Sequence, residues 1–272
     1  MSTMFLAVEP ALGVLIEGSL IPFFFALGFF LIVYMMITRG RAGMPVPDLR
    51  KLPGIEAIDE AIGRATEMGR PVLFQPGQGD LRNPQSIASF PVLAYASTMC
   101  ARYDVRIIQV HRDPPIMAIG EEITRVSYLE AGRPDAFNPD DVRPAMGQTM
   151  TVQSAIMGIL QREQAGAVIL WGAFWAESMG IIEAGAMAGA IQIGATANTH
   201  QIPFFIAGCD YALMGEEMYA ASAYLSKNPV LVGTIVGQDL AKLAVLITVV
   251  LGIIFSTATG GMDHFLTSLL QM

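Results

Sequence analysis

The sequence predicts an α/β fold: a mainly parallel, doubly wound (Rossmann-like) sheet flanked by helices, with one N-terminal and one C-terminal transmembrane helix. Three observations predict it. Short unbroken apolar runs alternate with amphipathic stretches through the middle of the chain, the pattern of strands buried on both faces and joined by helices. Two longer apolar segments lie near the ends. Every Lys and Arg falls between Arg39 and Lys242, so charge divides the chain into the same three parts.

Composition narrows the classes. With 53% hydrophobic and 15% charged residues, the chain has ample apolar surface to offset ordering entropy, which excludes disorder. Its net charge of -8, with no basic run above Arg39–Arg41 or Arg50–Lys51, argues against a nucleic-acid partner. Cys100 and Cys209 stand apart, with no C-x-x-C pair, and read as buried thiols rather than a disulfide framework or metal site. No metal is assigned and any cofactor stays unknown.

The first anchor is "LIPFFFALGFFLIVYMMIT", residues 20–38, which holds no charge. Crossing a hydrocarbon core of ~30 Å takes about 20 such residues. Pro22 sits in the first turn, where its missing N–H costs little, and Tyr34 lies toward an interface. The second anchor is expected over residues 240–259, with Lys242 snorkelling at one end and Thr257 and Thr259 bonding their own helix at the other. A buried helix of a soluble domain is its alternative. The positive-inside rule places the tails, residues 1–19 and 260–272, outside the cell. A linker (39–54) and an α/β domain (55–238) then lie in the cytoplasm.

Within the domain, Ile55, Ile58, Ile62 and Ala65 mark one face of a helix that Gly69 ends. "PVLFQ" is a strand, "PVLAYASTMCARY" a helix, and "VRIIQV" a second strand. A helix through "PIMAIGEEITRVSYLEAG", a polar loop over residues 133–146 and a helix from near Thr151 to Gly166 follow. "AVILWGAF" reads as a fully buried strand. The glycine- and alanine-rich stretch over 179–198 reads as a helix enclosed by protein, because its carboxylate-free run is short and Glu183 is costly near lipid. A membrane span and a ligand loop are the alternatives. Gly185 and Gly189 form a G-x-x-x-G pair on which a neighbouring subunit could pack. "PFFIAG" is expected as a strand, "EEMYAASAYLSK" as a helix and "PVLVGTIVG" as a last strand. This pattern leaves the strand order open.

Ligands of doubly wound sheets bind outside the carboxyl ends of strands. "QPGQGDLRNPQS" follows the first strand there: Gly77 and Gly79 permit close backbone approach, and Asp80 or Arg82 can read a polar group. The dinucleotide fingerprint needs a third glycine where Arg82 stands, and the Lys-Ser/Thr pair of a P-loop is missing. Plain turn chemistry is the alternative. "VHRDPP" ends the second strand, where Asp113 can hold a ribose hydroxyl and His111 can act as acid or base near neutral pH. The structural alternative pairs Arg112 with an acid and lets the two prolines start the next helix. Asn198, Thr199 and His200 read as a cap on the preceding helix. No G-x-S-x-G, H-E-x-x-H or Cys/His cluster occurs, so no reaction and no catalytic residue is assigned.

The N-terminal span, the "GQGDLRNPQS" loop, the "WGAFWAESMGIIEAGAMAGA" segment and the terminal span together resemble a family of prokaryotic membrane proteins catalogued only as a domain of unknown function. The resemblance implies a bacterial or archaeal cytoplasmic membrane and brings no catalytic residues with it. Two functions remain open. The first is a membrane-anchored scaffold, a homo-oligomer that self-associates through its cytoplasmic domain. The second is a membrane-tethered domain that binds a small molecule or nucleotide, with or without enzymatic activity.

Overall fold

The computed structural model describes residues 10–11, 15–16, 20–42, 53–226 and 228–258. The predicted tail over 260–272, the linker residues 43–52 and most of the tail over 1–19 lie outside them. The chain divides into two compact units, Leu49–Asn228 and the pairing of Met1–Asp48 with Pro229–Met272.

In the terminal unit, β1 (Pro10–Ala11) and β2 (Leu15–Ile16) form a short antiparallel ladder before α1 (Leu20–Arg41). Its partner is the last helix, α9 (Pro229–Ala258). The two run antiparallel at close range. A Cβ on Gly40 would stand 2.6 Å from the Pro229 carbonyl oxygen, one on Gly233 2.8 Å from that of Met36, and one on Gly237 2.8 Å from the Val33 Cα. The small-residue spacing that lets helix backbones meet is therefore Gly233-x-x-x-Gly237.

Both helices are long and apolar enough to cross a membrane, over Phe23–Arg41 and Pro229–Leu251, each with a mean hydropathy of 1.8. The expected strand "PVLVGTIVG" is thus the first part of α9, and the apolar helix begins at Pro229 rather than at residue 240. A short run rich in Val and Ile reads equally well as a strand or as a segment of an apolar helix, and periodicity alone does not separate them.

The other unit is the predicted α/β fold. Six parallel strands lie in the order β5-β4-β3-β6-β7-β8: β3 (Val72–Gly77), β4 (Ile107–His111), β5 (Val142–Pro144), β6 (Ala167–Ala173), β7 (Ile191–Thr196) and β8 (Tyr211–Met214). The chain starts in the middle, winds outward to β5, returns to β6 beside β3 and winds outward the other way. This is the doubly wound order, with its reversal between β3 and β6.

Alternation along the strands builds two cores. Phe74, Ile107, Ile169, Trp171 and Ile193 pack against α2 (Pro53–Met68), α3 (Pro84–Tyr103) and α8 (Glu216–Ser226). Leu73, Ile108, Val168 and Leu170 pack on the other face against α5 (Thr149–Glu163), α6 (Glu177–Met187) and α7 (Ile202–Gly208). The remaining helix, α4 (Pro114–Glu130), contributes Tyr128 to the first core.

Four local expectations change. The helix expected from Pro91 begins at Pro84, where Asn83 Oδ1 accepts the Gln85 N–H at 2.9 Å, and Pro91 sits inside it. Asn83 supplies the cap and Pro84 the first-turn proline, so the helix-start signal belongs to that pair. The loop over 133–146 contains β5, too short and polar to announce itself. "PFFIAG" belongs to α7, with Phe205 buried and Phe204 and Ile206 exposed. The glycine–alanine stretch is not one helix: α6 stops at Met187, Gly189 turns the chain at φ 69°, and β7 follows. Gly185 and Gly189 therefore share no helix face. Gly185 instead faces its own fold, where a Cβ would come 2.5 Å from Gln192 Oε1.

Candidate functional site

The reversal between β3 and β6 opens a cavity of about 460 Å³ lined by Gln78, Gly79, Asp80, Asn83, Arg112, Asp113 and Trp175. These side chains come from the ends of three strands, β3, β4 and β6. Two backbones approach closely beneath them. Gly77 turns at φ 81°, and a Cβ there would lie 2.5 Å from the Ala173 amide nitrogen, so no other residue fits without displacing β6.

Gln78 leaves that turn with its side chain almost wholly inside, 3% exposed, and neither its Nε2 nor its Oε1 has a partner among the described residues. A buried amide left unmade costs about 1–3 kcal/mol, which is rare unless something else supplies the partners. Asp113 has a related peculiarity. It stands at the N-cap of α4, yet its side chain makes no capping bond, and its Oδ2 is buried without a partner. The two following residues, Pro114 and Pro115, have no N–H to offer it. The sequence thus holds a carboxylate at a helix start while removing donors that would occupy it.

Arg112 spans the floor, donating from Nη1 to the Gln78 carbonyl at 3.2 Å and from Nε to the Gly147 carbonyl at 3.2 Å. It is held by backbone oxygens rather than by the acid expected from sequence. Trp175 is 40% exposed at the rim. Behind it, Glu177 is fully buried; its Oε1 accepts the Trp175 N–H at 2.9 Å while Oε2 has no partner among the described residues. Burial pushes the Glu177 carboxyl above the usual carboxylate range, partly offset by the Trp175 N–H and by the positive charge of Arg112.

A supporting layer ties the strand ends together. Gln85 donates to Asn198 Oδ1 at 2.9 Å and accepts the Ala197 N–H at 2.8 Å, while Asn198 donates to the Phe174 carbonyl at 2.6 Å. Asn198 follows a strand, so it links α3, β6 and β7 instead of capping a helix.

Of the predicted site residues, Gly79, Asp80 and Asp113 line the cavity and Gly77 shapes its floor. Arg82 does not line it; that side chain is exposed, and its backbone N–H donates to Asp80 Oδ1 at 3.1 Å. His111 is also absent from the lining. It is 1% exposed and its Nε2 lies 2.9 Å from Gln109 Oε1, in a buried chain that continues from Gln109 Nε2 to Thr124 at 2.5 Å. Burial pushes its pKa down to about 4, so it is neutral at physiological pH and does not exchange protons there. Sequence reasoning missed Gln78, Asn83, Arg112, Trp175 and Glu177. The position of Gln78 between Gly77 and Gly79 was the available signal.

The model for the family described as Domain of unknown function (DUF6754) matches residues 14–267. The chain belongs to that family. No curated protein and no solved structure matches it. In this member of DUF6754, the chemistry of the cavity is the guide to function. Among the described residues, no group of three or more His, Cys, Asp or Glu is placed to hold a metal ion.

Proposed function

We propose that this chain is a membrane-tethered binding protein whose α/β unit holds a small, polar, ring-containing metabolite at the reversal between β3 and β6. The observation that carries the proposal is the buried, unpartnered amide of Gln78 at a cavity of about 460 Å³. That volume suits a ligand of metabolite size. Gln78 offers one donor and one acceptor side by side, Asp113 Oδ2 accepts from a hydroxyl, and Trp175 provides an aromatic face for a sugar or base.

The charges narrow the class. Asp80 and Asp113 face one Arg112, and the first donors of α3 are already used by Asn83. A free phosphate gains little there. A neutral nucleoside or a sugar fits the donors and acceptors better than a dinucleotide.

The tether reading is supported by α1 and α9, by Arg39 and Arg41 at the end of α1, and by the lack of cations outside Arg39–Lys242. It puts the binding unit in the cytoplasm and both termini outside, in the prokaryotic cytoplasmic membrane that the family resemblance suggests. Impermeant cysteine labelling of intact cells should reach position 265 and miss positions 60 and 160; the reverse pattern overturns this orientation.

Titration calorimetry of the full chain in lipid nanodiscs, against nucleosides, nucleotides and hexoses, tests the site. Binding of at least one nucleoside or sugar is expected, abolished by Asp113→Asn with unchanged melting. Absence of heat with every compound, or binding indifferent to Asp113, overturns the proposal. Scaffolding by self-association is the second reading. The Gly185/Gly189 face no longer favours it; the exposed apolar side chains of α9, Leu243, Leu246 and Leu251 among them, do.

A further inference from the structure

We infer that the ligand of this cavity is an amphiphile, a sugar or nucleoside head joined to an aliphatic chain. The head occupies the cavity, and the chain lies across the exposed side chains of Met146, Met150, Trp175 and Met179. The inference rests on the reading of the cavity as a sugar or nucleoside site and supplies the other half of that ligand. The walls of the cavity differ in kind. Its charges, Asp80, Arg112 and Asp113, all stand in the segments just after β3 and β4. The segments over 144–161 and 164–182, which run on from β5 and through β6, hold a single charged residue, Glu177, and that one is fully buried.

Two contacts bring these uncharged segments to the mouth. The Gly147 carbonyl accepts from Arg112 Nε at 3.2 Å, and Gly180 lies directly against Gln153, whose amide a Cβ there would strike. Met146 adjoins Gly147, Met150 stands one helical turn before Gln153, and Met179 adjoins Gly180. Trp175 lines the cavity itself. The four are 52%, 59%, 60% and 40% exposed in that order, with Trp175 last. Together they uncover a few hundred Å² of apolar surface, the scale at which a patch marks an interaction site. Methionine is flexible and polarizable, so it repacks on a chain of no fixed shape. Because Trp175 belongs to both cavity and patch, one molecule that is polar at one end and apolar at the other satisfies both. No cation stands among the four to hold an anionic bilayer surface, so the occupant is the chain of a single ligand molecule rather than a membrane.

Titration calorimetry on the full chain in phosphatidylcholine nanodiscs tests this, with protein-free nanodiscs subtracted for partitioning. It compares methyl with hexyl β-glucoside, and adenosine with 5′-O-hexanoyl adenosine. In at least one pair the longer member should bind about tenfold or more tighter, since each methylene taken from water is worth severalfold in affinity. Met146→Ser/Met150→Ser/Met179→Ser should erase that gain while keeping the shorter member's affinity within about twofold, and Asp113→Asn should abolish binding of both. All three methionines are exposed, so melting should not change; where it does, Met150→Ser/Met179→Ser decides, with the same loss of gain expected. A shorter member that binds, with no gain from its chain, overturns this inference and leaves the reading of the cavity standing. No binding by any of the four compounds overturns that reading itself. A gain that survives the serine variants or Asp113→Asn is plain adsorption and overturns the inference. Dimers in single-molecule photobleaching that the serine variants turn into monomers assign the patch to a second copy and overturn it too.

Discussion

The two edges of the central sheet solve opposite problems. At the edge where strands begin, Arg106 grips Asp141 through Nη2 at 2.5 Å and Nε at 3.2 Å, and Arg143 reaches Glu163 at 2.7 Å. Arg106 also meets Glu163 at 3.4 Å, so two cations and two carboxylates satisfy one another. Arg143 draws the Glu163 carboxyl below the usual carboxylate range, as expected of a paired acid. At the edge where strands end, Gln78, Asp113 and Glu177 keep polar atoms with no partner among the described residues. The charged groups of the first edge are matched internally, and the other edge holds polar atoms in reserve around a cavity. That difference is what a stability edge and a binding edge should look like.

Substitutions sharpen the contrast, beginning with the largest effect. Gly77→Ala forces a side chain into left-handed backbone and against β6, and should cost about 3 kcal/mol or more in chemical denaturation. Were it tolerated, the close approach of β3 and β6 would not be a constraint on the cavity.

Acid should act next, through His111. Its folded pKa, about 4, lies below the ordinary value of 6.5 because burial disfavours the cation. Between those values the unfolded chain binds the proton more readily, so stability should fall as pH drops from about 6.5 to about 4 and level off below. The loss is on the order of 3 kcal/mol at most. His111→Asn should remove this slope; an unchanged slope would assign it to other groups.

Asp141→Ala should cost about 2 kcal/mol, tempered by the exposure of Arg106, and leave ligand affinity untouched. Gln78→Leu should do the reverse, holding or raising stability by about 1 kcal/mol while abolishing binding. A destabilised Gln78→Leu protein would mean that the amide is structural, and the contrast between the edges would break. Smallest of all, Arg125→Ala on the exposed face of α4 should remove its pair with Glu122 without shifting the denaturation midpoint.

Much of the sheet was legible because β3, β4 and β6 are short, predominantly apolar runs, as strands covered on both faces are. The edge strands β5 and β8 were not, being only three and four residues long, and β5 spends two of its three on Arg143 and Pro144. β7 hid for a different reason. Its Gly194 has no side chain because Phe205 occupies the space, with the ring Cε1 2.8 Å from where a Cβ would stand. A strand thinned to admit a neighbour looks in sequence like a small-residue helix. At the site, the glycines and Asp113 were legible from their place after strands. His111 was misread because the same placement leads one ring into a cavity and buries another, and only packing distinguishes them.

Sequence alone determined the layered α/β class and the two apolar ends, since burial and lipid solvation act through composition and period. It determined the loops after β3 and β4 as the place to look. Strand order, the cavity between β3 and β6, the bond between Trp175 and Glu177, and the register of α9 on α1 were decided only by tertiary structure. Each depends on residues distant in the chain meeting in space, and a linear pattern carries the propensity to be buried but not the identity of the neighbour.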